Sequence, residues 1–367
     1  MKVTAAVFEQ AGRDLVVEEL DLADPGPGEV LVRLAASGVC HSDYHIVKGE
    51  WEAAVPIVLG HEGAGVVEAI GGGVTHVEVG DHVVLSWVPY CGHCRYCHTG
   101  RPALCKQVQD TAYQGVMLDG TSRLSRNGET VYSYCATGSF ANRVIVPETG
   151  AIRIRRDAPL DKVALIGCAV ATGVGAVINT AKVQAGDSVL VIGCGGVGLS
   201  VVMGAALVSA GHIIAADLND DSLNRAKELG ATHLINTGRQ DLSTVVHDLV
   251  GPDGVDWSFE AIGLKRAIEA AYDMIRPGGT AVVVGQAPSG VTIEIDPLVM
   301  SDREKSLIGS SYGTCHPAVD FPRLVDLYME GKLDLDQLIA RTGTIDDINK
   351  AFTALGNGEA GRTVILY

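Results

Sequence analysis

The chain has 367 residues, 47% of them hydrophobic, which is length for about two domains and apolar content for two sizeable cores. Its formal net charge of -16 and the lack of any basic arm exclude a nucleic-acid partner, since phosphate binding needs clustered Lys and Arg. Neither a signal-peptide core nor an apolar run of membrane length is present, so no membrane partner and a cytoplasmic location are expected.

Residues 1–168 hold short Val and Ile runs separated by turn signals such as Asp24-Pro25-Gly26-Pro27-Gly28 and Gly71-Gly72-Gly73, the pattern of a β-barrel-like domain. Within it Cys91, Cys94, Cys97 and Cys105 are spaced C-x2-C-x2-C-x7-C. Four thiolates this close satisfy a tetrahedral zinc ion completely and leave no position for substrate, which predicts a structural-zinc lobe over 91–105. A disulfide pair or an iron–sulfur cluster would use the same residues. A second set of soft ligands is scattered: Cys40 in Gly38-Val39-Cys40-His41-Ser42-Asp43, His61 in Gly60-His61-Glu62, and Cys168 in Gly167-Cys168-Ala169. Two thiolates and one imidazole leave a fourth zinc position open, as a catalytic site requires. Spacing alone does not join them, because an isolated Cys is usually a small buried hydrophobe and a His beside glycine usually a turn residue.

From 169 to 308 strands and helices alternate, with strand cores at 189–192, 213–216, 233–235, 255–259, 280–284 and 306–308, which predicts a six-stranded, doubly wound parallel sheet in an α/β chain. The first strand runs directly into Gly193-Cys194-Gly195-Gly196-Val197-Gly198, and a helical run over 199–210 follows. Gly193 permits the tight turn, Gly195 lets the backbone approach a pyrophosphate, and Gly198 allows helix to pack closely on strand. Asp217 ends the second strand 19 residues after Gly198, placed to accept hydrogen bonds from the adenosine ribose and to repel a 2′-phosphate, which favours NAD over NADP. A helix over 321–330 and a strand over 363–366 are predicted to close the chain.

With these motifs in place, the chain resembles the zinc-containing, medium-chain alcohol dehydrogenases from its first strand to its last. The resemblance implies a GroES-like β-barrel catalytic domain over 1–168, a Rossmann domain over 169–308, and a return to the catalytic domain over 309–367, with function in the cleft between domains. It implies one catalytic zinc on Cys40, His61 and Cys168, one structural zinc on Cys91, Cys94, Cys97 and Cys105, and NAD as cofactor. Ser42 and His45 match the proton-relay positions, and Asp43 and Glu62 the carboxylates beside the metal. His41 and Arg362 match positions that touch the pyrophosphate. Thr172 and Val197 match residues that press on the nicotinamide, and Val284 joins Gly196 and the other loop glycines among the cofactor contacts.

The chemistry fits these residue types. Zinc lowers the pKa of a bound alcohol, and the alkoxide expels hydride. Ser42 would take the alcohol proton and pass it through the ribose hydroxyl to His45. Asp43 would orient His61 through its second ring nitrogen. Ser42 and Asp43 also read as helix-capping residues after Cys40, and the two roles are compatible.

The expected reaction is reversible oxidation of a primary aromatic, allylic or linear alcohol, with Trp87 and Trp51 in the substrate pocket. The alternative is a thiol-dependent formaldehyde dehydrogenase or S-nitrosothiol reductase, using glutathione or mycothiol. The segment 120–128 resembles the longer loop of dimeric members, which include the glutathione-dependent branch, so a homodimer pairing sheet edges near 298–308 is expected. That branch carries an acidic residue where this chain has Trp51, and an Arg where it has Gln109. A non-enzymatic protein on the same fold would be signalled by a lost ligand or relay residue, and none is missing. Six of nine cysteines fall on proposed metal sites, and the odd remainder, Cys135, Cys194 and Cys315, argues against a disulfide framework.

Overall fold

The Val- and Ile-rich runs of the first half become ten strands: β1 (Lys2–Phe8), β2 (Val16–Leu22), β3 (Glu29–Gly38), β4 (Ile57–Val58), β5 (Glu62–Ile70), β6 (His82–Leu85), β7 (Leu124–Arg126), β8 (Glu129–Ser133), β9 (Arg143–Pro147) and β10 (Ala151–Ile154). Six further strands, β11 (Ser188–Ile192), β12 (His212–Asp217), β13 (His233–Asn236), β14 (Val255–Glu260), β15 (Ile275–Val283) and β16 (Ser306–Gly309), follow in alternation with helices, and β17 (Ile339–Gly343) and β18 (Arg362–Leu366) end the chain. The computed structural model describes residues 1–367. They form two units, one of Met1–Cys168, His316–Gly331 and Ile339–Tyr367, the other of Ala169–Cys315 and Lys332–Leu338. The tail expected to return at 309 is thus divided: 309–315 and 332–338 cluster with the second unit.

In the first unit β1, β2, β7, β8 and β4 close into a barrel. A second sheet runs β10-β6-β5-β3-β18-β17, with β9 also on β3. The segment 120–128, expected as a loop, supplies the barrel strand β7 and the turn into β8. Asn127 (φ 54°) and Gly128 (φ 85°) form the two-residue turn between Arg126 and Glu129, both in the left-handed region that matches hairpin twist. Arg123 fastens this hairpin with a forked pair of bonds to Glu29, Nε to Oε2 at 2.9 Å and Nη2 to Oε1 at 2.5 Å.

In the second unit all strands pair in parallel, in the order β13-β12-β11-β14-β15-β16. Leu190, Ile192, Ile214, Ala216 and Ile235 are buried in one core cluster, the near-continuous apolar pattern of strands covered on both faces. Three boundaries differ from expectation for local reasons. β15 starts at Ile275, because Pro277-Gly278-Gly279, which reads as a turn, is carried inside the strand. The helix after the glycine loop spans Gly196–Leu207, so the glycines themselves form its first turn and the left-handed Ser209 (φ 61°) follows its end. The late helix spans Pro317–Met329, with Pro317 in the first turn, where its missing N–H costs nothing. No single helix is long and apolar enough to cross a membrane.

Candidate active site and cofactor loop

β3 carries the chain to Cys40, which stands in extended conformation (φ −118°, ψ 153°) at the N-cap of the helix His41–Lys48. β3 pairs with β5 in a register that sets Gly38 opposite Glu62, and a side chain at Gly38 would overlap the Glu62 carboxylate. His61 therefore emerges beside Cys40, at the start of β5. Cys168 arrives from the other end of the unit, after the buried turn Ala164–Gly167.

The Sγ atoms of Cys40 and Cys168 and a ring nitrogen of His61 lie within 4.8 Å of one another, and all three residues are buried. His61 Nε2 is 3.3 Å from Cys168 Sγ, while Nδ1 faces Asp43 Oδ1 at 3.1 Å. That oxygen also accepts the Gly60 N–H at 2.9 Å, so Asp43, fully buried, fixes the ring with Nε2 toward the thiols. The hydrogen bond from Cys168 holds the Cys40 thiol well below its usual range, and the same bond together with burial pushes Cys168 up. Burial works against a charged His61, but the Asp43 carboxylate outweighs it and the ring titrates well above its ordinary value. Three buried soft donors converging with no bulky group between them suit a zinc ion with one open position.

The neighbours of this triad are aromatic and ionic. Trp87 and Tyr134 meet the His61 ring edge-on, at centroid distances of 6.4 and 5.5 Å, and Tyr113 lies 6.1 Å from Trp87. Ser42 Oγ is 3.8 Å from Cys40 Sγ. Arg362 is 4% exposed, so it is no surface arginine; its Nη2 donates to Glu62, itself fully buried. His41 is exposed in the first turn of its helix. His45 and Trp51 come together, their rings stacked 4.4 Å apart at 21°, which places Trp51 on His45 while Trp87 stands on His61.

The four-cysteine lobe is a separate cluster, its Sγ atoms again mutually within 4.8 Å. Cys94 and Cys97 are 3.6 Å apart, Cys91 and Cys97 4.0 Å, and all nine cysteines of the chain are free thiols, which removes the disulfide alternative. Backbone N–H groups of Cys97 and Lys106 aimed at Cys94 lower its pKa to about 6, whereas burial pushes Cys97 up to about 12. Loop amides turned toward sulfur are what a bound tetrathiolate needs to offset its charge.

In the second unit the glycine loop is shaped as its sequence requires. Gly193 sits at φ +94°, and a side chain on Gly198 would overlap the Gly193 carbonyl oxygen. A Cβ at Gly195 would meet nothing within 4 Å, and no side chain caps the helix that starts at Gly196. Its first-turn amides are left for an anion. Asp217, half-buried at the tip of β12, accepts the Cys194 N–H at 2.6 Å and the Asn219 N–H at 2.9 Å. Val197 is half-buried, Thr172 is 9% exposed in the helix Ala169–Gly175, and Val284 is buried, its N–H bonded to the Glu260 carbonyl at 2.9 Å. This cradle fits a dinucleotide.

Residues 26–156 match the alcohol dehydrogenase GroES-like domain family, and residues 196–330 match the zinc-binding dehydrogenases. The S-(hydroxymethyl)glutathione dehydrogenases of Paracoccus denitrificans and Synechocystis are 40% and 41% identical to this chain, each over the full length of both proteins. The chain belongs to the zinc-containing medium-chain alcohol dehydrogenases. Among solved structures of this family, the benzyl alcohol dehydrogenase of Acinetobacter calcoaceticus superposes with a TM-score of 0.95 at 34% identity, over 100% of this chain and 99% of that one. As a zinc-type dehydrogenase the chain is an oxidoreductase, and both thiolate clusters have the donor sets that the family fills with metal.

Two side chains at the site went unnoticed in the sequence. Glu50 lies against His45, with Oε2 2.5 Å from Nδ1, and Tyr134 closes on His61. Tyr134 gives no signal in its spacing. Glu50 does, as a carboxylate just past the glycine that ends the helix His41–Lys48.

Proposed function

We propose that this dehydrogenase oxidises the hydroxymethyl adduct of formaldehyde with a small thiol, R–S–CH2OH, to the thioester R–S–CHO, delivering a hydride to NAD+ and releasing a proton. The observation that carries this reading is the full-length identity of 40% with an S-(hydroxymethyl)glutathione dehydrogenase. Simple primary alcohols form the second reading, supported by the likeness to a benzyl alcohol dehydrogenase and by the aromatic wall of Trp87 and Tyr113. Both substrates present the same carbinol. Trp51 and Gln109 offer no charge to a glutathione carboxylate or amine, which supports a thiol with a more neutral, sugar-like body such as mycothiol.

Zinc held by Cys40, His61 and Cys168 would supply the Lewis acidity that makes a hydroxyl acidic near neutral pH. Ser42 accepts the hydroxyl proton, and His45 carries it toward solvent. Asp43 keeps His61 Nε2 turned to the thiols, and Arg362 donates to the Glu62 carboxylate buried beside them. Thr172, Val197 and Val284 are assigned to the nicotinamide, and Gly193 to Gly198 with Asp217 to the remainder of NAD. The test is NADH formation from formaldehyde with glutathione, with mycothiol and without thiol, beside a panel of benzyl, allylic and linear alcohols. Thiol-independent turnover of the alcohols with no gain from either thiol would leave the second reading in place of the first.

Asp217→Gly is expected to shift the ratio of kcat/KM from NAD toward NADP by about ten- to a hundredfold, the worth of a charged hydrogen bond of about 1.5–3 kcal/mol. Asp217→Asn, which keeps an acceptor for Cys194 N–H, should shift it less. A homodimer is the assembly proposed: β16 bonds only to β15 on one side, and Leu298 (72% exposed) and Val299 (39%) stand nearby. Light scattering should return twice the 38.3 kDa chain mass. Nine free thiols suit a reducing compartment such as the cytoplasm, which fractionation of the source cells would show.

A further inference from the structure

The helix His41–Lys48 ends in a left-handed glycine, Gly49 (φ 76°), whose N–H donates to the carbonyls of His45 and Ile46. That cap reverses the chain. The Glu50 and Trp51 N–H groups then both donate to the His45 carbonyl, at 2.8 and 3.3 Å, so the two residues after the glycine are folded back over the histidine. Their side chains complete the enclosure. Trp51 stacks on one face of the imidazole, and Glu50 Oε2 meets Nδ1 at 2.5 Å. The other Glu50 oxygen, Oε1, is taken by the Lys48 ammonium, which leaves Oε2 to His45 alone.

We infer that Glu50 is a positioning residue for proton transfer, fixing His45 as the Nδ1–H tautomer so that Nε2 is the atom that receives the proton of the oxidised alcohol. The inference rests on the relay reading of His45 given above. Lys48 first, and then His45 itself, hold the Glu50 carboxyl below the usual carboxylate range, so the group facing Nδ1 is an acceptor and Nδ1 is the donor. Nε2, with its lone pair free, takes the arriving proton. The resulting imidazolium carries an N–H on each nitrogen, faces a carboxylate that stays ionised, and returns to its starting form by losing the Nε2 proton to water. Glu50 neither gains nor loses a proton over the cycle. Trp51 restricts rotation of the ring, which would otherwise exchange the two nitrogens.

The geometry makes the dyad local and testable, since the Glu50 side chain is 27% exposed and that of His45 16%. In the zinc-loaded protein labelled with 15N-histidine, the His45 resonances, identified by their loss in His45→Ala, should report Nδ1–H in the native chain. In Glu50→Ala they should move to the Nε2–H form that an unpartnered imidazole prefers. Turnover of Glu50→Ala should fall roughly tenfold, less than the about 10²–10⁴-fold expected of a group that transfers the proton itself. Glu50→Asp should recover most of it, and Glu50→Ala should have no further effect on a His45→Ala background. An unchanged tautomer in Glu50→Ala overturns the inference. A changed tautomer with undiminished turnover overturns the assigned role of Glu50, and if His45→Ala is then equally active, the relay reading itself fails.

Discussion

Replacing Cys168 with serine is expected to remove one of two zinc equivalents and to cut turnover by about three orders of magnitude. The argument starts from placement. Cys168 Sγ is 3.3 Å from His61 Nε2 and hydrogen-bonded to Cys40, so it closes the set of three mutually adjacent soft groups. A serine hydroxyl at that point is neither soft nor ionised at neutral pH, and the remaining Cys40 and His61 make too few bonds to hold zinc against water. A Lewis acid supplies several kcal/mol of transition-state stabilisation, and each increment of about 1.4 kcal/mol is tenfold in rate. Metal analysis and steady-state kinetics on the same preparation check both halves. Full zinc content with native turnover would remove Cys168 from the site.

The second large effect is structural. Cys105→Ala is expected to release the other zinc and to unfold the lobe locally, read as a lowered melting temperature and a new protease cut within 91–105. The lobe has almost no core of its own: of its residues, Pro102, Ala103 and Cys105 are the buried ones. An alanine contributes little apolar area, so burial cannot replace the metal. Structural zinc in isolated fingers contributes about 10–16 kcal/mol at neutral pH, far beyond what three small buried side chains provide. Turnover should decline with lobe order, while zinc at Cys40, His61 and Cys168 remains. A variant that keeps two zincs and the native melting temperature would contradict this account.

How much of this could be read from sequence varied with how far apart the residues lie. The four-cysteine lobe and the glycine loop are legible because each is compressed into one short segment whose spacing is its geometry. Cys40, His61 and Cys168 are joined only by the β3–β5 register and the turn before Cys168, which no local pattern encodes, so the family resemblance was needed to group them. Segment 120–128 reads as a loop by its resemblance to the longer loop of dimeric members, although Asn127-Gly128 within it is a strong hairpin signal and joins β7 to β8. β15 extends back to Ile275, but its continuous pairing with β14 and β16 begins at Thr280, because Pro277-Gly278-Gly279 interrupts the ladder. The Glu62–Arg362 pair spans 300 positions and exists only through the pairing of β3 with both β5 and β18. Glu50 was within reach: a carboxylate directly after a glycine helix cap is folded back on the last turn by backbone geometry alone.

All seven thiol and imidazole ligands precede Ala169, the first residue of the second unit. The candidate metal ligands and the glycine-loop cradle therefore lie in different stretches of the chain. Grafting 169–315 and 332–338 from an NADP-using relative is expected to change the nucleotide preference while zinc content stays the same. A new redox pool can then be reached by altering Asp217 alone or by exchanging the whole segment, with all seven candidate metal ligands left as they are.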